Sequence, residues 1–104
     1  MAVGMLLGMG MREAVLGELR EDIRRVARDR GAERIALFGS VARGDNVDGS
    51  DCDFMVDFAG PASLVDLAML KGDLEELLGC AADVVPIDGL RERHRAAVED
   101  AIVL

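Results

Sequence analysis

Tryptophan, tyrosine and threonine are missing from this chain, and phenylalanine occurs three times. No aromatic-rich pocket that would select a nucleotide base can therefore be traced. With 12 basic residues against 20 acidic ones the net charge is -8. That balance argues against a nucleic-acid backbone as the main partner, since such binding rests on clustered Lys and Arg. It suits a site that collects divalent cations, or a basic protein partner. The two cysteines, Cys52 and Cys80, fit no metal-binding or redox spacing. They read as packing residues, and free buried thiols suit a reducing cytoplasm. No hydrophobic run is long enough to span a bilayer, and the apolar start, Met1 to Met11, carries no positive charge before Arg12. Neither a membrane anchor nor a secretory signal is expected, and the expected location is the cytoplasm.

What is present is the mixture of a folded domain: 51% hydrophobic and 31% charged residues. One domain is expected over residues 12–104, with residues 1–11 as a flexible tail or an apolar arm against a partner. Glu13 to Arg30 reads as a helix, with Val15, Leu19, Ile23 and Val26 at helical spacing and Gly31 as its stop. Its charged face reads as solvated. Arg34 to Phe38 is nearly all apolar and reads as a central strand. Ser40 to Arg43 has the length of one helical turn. Asp51 to Phe58 is a second strand, with Cys52, Phe54, Val56 and Phe58 facing a core. Ser63 caps a helix whose expected buried stripe is Leu64, Leu67, Ala68, Leu70, Leu74, Leu77 and Leu78, and Gly79 ends it. Asp83 to Ile87 is a third strand, and because Pro86 cannot donate to a ladder the strand lies at an edge or ends there. Leu90 to Val103 reads as a last helix. The order predicts a small α/β fold with a mixed sheet and helices mainly on one face.

Chemistry concentrates in one stretch. Gly39-Ser40 is followed, after ten residues, by Asp51-Cys52-Asp53 at the head of a strand. Residues two apart on a strand share a face, about 7 Å apart along it. Two carboxylates so placed repel each other unless a cation lies between them. They are suited to a pair of divalent ions, which in two-metal sites lie about 3.5–4 Å apart. Asp57 shares that face but lies about 13 Å further on, too far to join them. A Gly-Ser turn opening a short helix offers unpaired N–H groups to a phosphate. Together these features describe a nucleotide-handling site. His94, the only histidine, sits among Arg91, Arg93 and Arg95 and reads as a surface residue. Lys71, the only lysine, has no role in this reading.

Gly39-Ser40, ten residues and Asp51-x-Asp53, in the form Gly-Ser-x-Ala-Arg-Gly over Gly39 to Gly44, resemble the signature of the DNA-polymerase-β-like nucleotidyltransferase superfamily. The similarity is greatest to its small stand-alone members, the minimal nucleotidyltransferases (MNT) of the MntA antitoxin type, and runs from about Arg34 to Ile87. The resemblance implies that Asp83 is the third acid, and that Asp51, Asp53 and Asp83 hold two Mg²⁺ ions, a hard cation that takes oxygen ligands. Gly39 and Ser40 would hold the triphosphate of ATP. Arg43 would either touch that triphosphate or pair with Asp45 or Asp48. The implied activity is transfer of AMP from ATP to a tyrosine of a HEPN-type toxin. The chain has no tyrosine, so that acceptor must lie in another protein. The alternative is an antitoxin that neutralises its partner by contact alone, without catalysis.

Overall fold

A computed structural model of the chain describes residues 10–44, 51–58, 60–61, 63–86 and 101–104. The first helical stretch is two helices, α1 (Met11–Leu16) and α2 (Arg20–Asp29), rather than one. The break falls at Gly17, where φ is -112° and ψ is -95°. Glycine lowers helix stability by up to about 1 kcal/mol relative to alanine, so the chain turns there at little cost. Leu19 N–H reaches Ala14 O at 2.9 Å and carries the chain into α2. The apolar stripe survives the break, because Val15, Leu19, Ile23 and Ala27 are all buried. Helix α1 begins at Met11, within the stretch read as tail, and Met11 packs against the core.

Strand β1 (Ala32–Phe38) runs directly into the short helix α3 (Gly39–Arg43), and β2 (Cys52–Phe58) returns antiparallel to β1. Helix α4 (Leu64–Leu78) then crosses over to β3 (Ala82–Pro86), which lies parallel to β2. Ser63 caps α4 as expected, its Oγ accepting from Asp66 N–H at 3.0 Å, and Gly79 ends it at φ +75°. The buried stripe of α4 is narrower than the periodicity suggests. Leu70, Leu74 and Leu78 are fully buried, Leu67 and Leu77 partly, whereas Leu64 is 85% exposed and Ala68 also faces out.

The end of the chain departs from expectation. Ile102–Val103 form a strand, β4, not the close of a helix. They pair antiparallel with Leu37 and Ala36, and Leu104 N–H donates to Ile35 O at 2.9 Å. A central strand needs neighbours on both sides, and the β-branched pair fits the open edge of β1. Ala101 lies outside any helix, and residues 90–100 of the expected last helix, with His94 and its arginines, lie outside the described residues, as does Ile87.

The sheet order is β3-β2-β1-β4, a mixed four-stranded sheet. Phe54, Val56, Cys52, Ile35 and Leu37 meet the buried residues of the four helices on one face. On the other face Ala36 and Met55 are also buried, against Phe38 and Ala101. No buried side-chain nitrogen or oxygen among the described residues lacks a partner.

Candidate active site

Two structural relations bring the sequence motif into one place. The first is between β1 and β2. Phe38 pairs with Asp53, so the turn that follows Phe38 lies beside the Asp53 side chain. Gly39 has φ +79°, and a Cβ added to it would lie 2.5 Å from Asp53 Oδ2 and 3.3 Å from Asp53 Cγ. The carboxylate therefore rests against bare backbone at the mouth of α3. Only glycine permits both the left-handed φ and this approach.

The second relation is between β2 and β3. Asp53 and Asp83 are direct partners across the parallel ladder. Neighbouring strands are about 4.8 Å apart, so both side chains stand side by side on one face. Asp51 immediately precedes β2 and is exposed, as is Asp83, while Asp53 is half-buried. Burial raises the pKa of Asp53 above the usual carboxylate range, and the charges of Asp83 and then Asp51 raise it further. These three acids thus act on one another, although they come from positions up to 32 apart in the chain.

Ser40 follows Gly39 in the first turn of α3, whose N-cap residue, Phe38, supplies no side-chain hydrogen bond. The far end of α3 is anchored: Arg12 Nε donates to Ala42 O at 2.8 Å, and Gly44 closes the helix at φ +81°. Arg43 is exposed in the last turn. Asp45 and Asp48, its two alternative partners, lie outside the described residues.

Hard oxygen donors on one surface, an acid with a raised pKa and an open backbone turn fit a divalent cation bound together with a phosphate. Among the described residues, no three acidic, histidine or cysteine side chains are gathered tightly enough to cage an ion alone. A Mg²⁺ site on a nucleotide does not need such a cage, because it uses one or two carboxylates and completes its shell with water and phosphate. Asp57 is held apart from the acids, 3.9 Å from Arg34 Nε.

Lys71 is the residue that sequence reasoning missed. Its Nζ donates to Glu75 Oε2 and to Ala82 O, each at 2.7 Å, one residue from Asp83. The Lys71–Glu75 spacing was visible in the sequence, but the backbone it holds becomes a neighbour only when α4 packs on β3.

Cys52 faces the core between the two aspartates, with its Sγ 4.0 Å from Cys80 Sγ. Burial first, and Cys80 second, push its pKa up to about 12. It should therefore resist iodoacetamide in the folded protein at pH 8, while the partly exposed Cys80 is modified first. Peptide mass mapping checks this, and rapid labelling of native Cys52 would contradict the packing role.

A family model described as a nucleotidyltransferase domain matches residues 18–104. A candidate protein adenylyltransferase of Methanocaldococcus jannaschii is 36% identical over 75 residues, covering 72% of this chain and 81% of the relative. A solved candidate minimal nucleotidyltransferase is 36% identical with a TM-score of 0.71, covering 86% of this chain and 92% of that one. A toxin–antitoxin crystal structure with AMP-PNP contains a chain 25% identical, with a TM-score of 0.65, the match covering 80% and 69% of the two chains. With its turn, its acids and its sheet arranged as described, this chain belongs to the nucleotidyltransferase domain family and is an enzyme of the minimal nucleotidyltransferase type.

Proposed function

We propose that this enzyme transfers AMP from ATP to a tyrosine of a partner protein, as the antitoxin of a pair whose toxin is of the HEPN type. The observation that carries the reading is the meeting of Gly39 with Asp53 and of Asp53 with Asp83. It sets a phosphate-binding turn against paired carboxylates. The protein-adenylyltransferase name of one relative supports a protein acceptor, and the toxin–antitoxin complex with AMP-PNP that contains another supports a toxin as partner.

Asp51, Asp53 and Asp83 would hold two Mg²⁺ ions, which supply charge neutralisation at the triphosphate and a lowered pKa at the acceptor hydroxyl. The Gly39 and Ser40 N–H groups and the Ser40 hydroxyl would hold the triphosphate, with Arg43 at its rim. The acceptor oxygen forms a bond to the α-phosphorus, the bond from that phosphorus to the bridging oxygen breaks, and pyrophosphate leaves. The hydroxyl proton passes to solvent. Residues 12–104 would make up the catalytic domain. No helix among the described residues is long and apolar enough to cross a membrane.

The test is the intact mass of the neighbouring gene's product after incubation with this protein, ATP and Mg²⁺. Gain in whole AMP units is the expected result. Co-purification of the two proteins without any gain would replace transfer with neutralisation by contact.

A further inference from the structure

Among the described residues β3 is an edge strand, so its outward backbone groups face no described strand. Cys52 N–H donates to Ala81 O at 3.1 Å, which directs alternate residues of β3 toward β2. The N–H and C=O of Ala82 consequently point to the open edge. There α4 captures both. Glu75 Oε2 accepts from Ala82 N–H at 3.1 Å, Lys71 Nζ donates to Ala82 O at 2.7 Å, and the same Nζ donates to Glu75 Oε2 at 2.7 Å. The three bonds close a ring around one residue. The Ala82 side chain is itself fully buried, so that residue is held on every side. No side chain of the described residues captures the outward groups of Val84, two positions further on. The ring therefore marks the residue before Asp83 rather than protecting the whole edge.

We infer that Lys71 and Glu75 are positioning residues that fix the Asp83 carboxylate beside Asp53 and thereby set the divalent-cation affinity of the acid site. This rests on the reading of the three aspartates as a cation site. Charge alone makes the opposite prediction. The Lys71 ammonium, held charged first by Glu75, also feels Asp83 and Asp51. Removing a positive charge from beside the acids would tighten a dication, whereas removing the clamp loosens it. At Lys71 the sign of the change separates the two effects.

The experiment is Mn²⁺ titration of the full chain, followed by loss of the free-ion paramagnetic resonance signal, with melting curves recorded for every variant. Lys71→Met and Glu75→Ala should each weaken Mn²⁺ binding roughly tenfold, the scale seen when groups that orient metal ligands are removed. Lys71→Arg, which keeps a donor for both acceptors, should stay within about threefold of the wild type. Should Lys71→Met not fold, Glu75→Ala carries the test beside Glu75→Gln, which loses the same charge but keeps an oxygen acceptor for Ala82 N–H and should stay within about threefold of the wild type. Unchanged or tighter binding in the folded variants would overturn the positioning role. A wild-type protein that binds no Mn²⁺ at millimolar concentration would remove the cation reading beneath it. Because the readout is binding, failure of AMP transfer onto a partner leaves this result intact.

Discussion

Replacing Asp53 by Asn should reduce nucleotidyl transfer by about 10³-fold or more, because charge stabilisation delivered through a bound cation is worth several kcal/mol. Asp53 is the acid that both structural relations share, touching the Gly39 turn on one side and Asp83 on the other. The same substitution should make the metal-free protein more stable. The sign follows from the raised pKa, caused first by burial and then by Asp83 and Asp51. A carboxyl whose folded pKa lies above its unfolded value contributes stability that is fully present below the unfolded pKa. That contribution is lost as pH rises through the folded pKa. At neutral pH the ionised Asp53 therefore opposes the fold, and the neutral amide removes the opposition. Melting in EDTA should show Asp53→Asn above the wild type, while added Mg²⁺ should stabilise the wild type and leave the variant nearly unmoved. A variant that melts lower than the wild type in EDTA, or that keeps its activity, would contradict this account of the site.

Replacing Gly39 by Ala should be the most damaging single-methyl change in the described molecule. Two independent penalties apply. The left-handed φ of +79° costs a residue with a Cβ roughly 1–2 kcal/mol, and overlap with Asp53 at 2.5 Å adds an overpacking cost of about 1–3 kcal/mol. A loss of roughly 2–5 kcal/mol should lower the melting midpoint by about 8–40 °C. Activity measured well below that midpoint should still fall about 100-fold, the scale produced by a misplacement near 1 Å in a reacting group. Gly72→Ala is the control. It lies in α4 with nothing within 4 Å of the added methyl, so helix propensity alone predicts a gain of about 0.5–1 kcal/mol. Equal tolerance of alanine at both positions would sink the steric argument.

The motif was legible because its parts are close in sequence and each carries a local reason. Gly39-Ser40 ends a strand with the residues a phosphate-binding turn needs, and Asp51-x-Asp53 opens the next strand with two acids on one face. The cap at Ser63 and the stop at Gly79 were legible for the same reason. The partnership of Asp53 with Asp83 was not contained in the spacing, since it depends on β3 lying parallel to β2 in one register. The resemblance supplied Asp83, and the ladder supplies its physical place. Strand β4 was illegible because two residues have no periodicity, and their strand character comes from the empty edge of β1. The break at Gly17 was hidden by an apolar stripe that continues through it. Leu64 and Ala68 were assigned to a buried face because they share its spacing, but the fully buried line of α4 is narrower and runs through Leu70, Leu74 and Leu78.

The sheet order has a consequence for how the molecule fluctuates. Strand β2 lies between a parallel and an antiparallel neighbour, and β4 is joined by two paired residues at the far edge. Amide protons at β4 become accessible to solvent through fraying that disturbs none of the acids. Those of β2 are divided between β1 and β3, so exchange along the whole strand needs the ladders on both sides to part, an event close to global unfolding in free energy. The backbone that carries Asp53 therefore belongs to the slowest-opening unit of the fold, and breathing at the β4 edge leaves the spacing of the carboxylates unchanged.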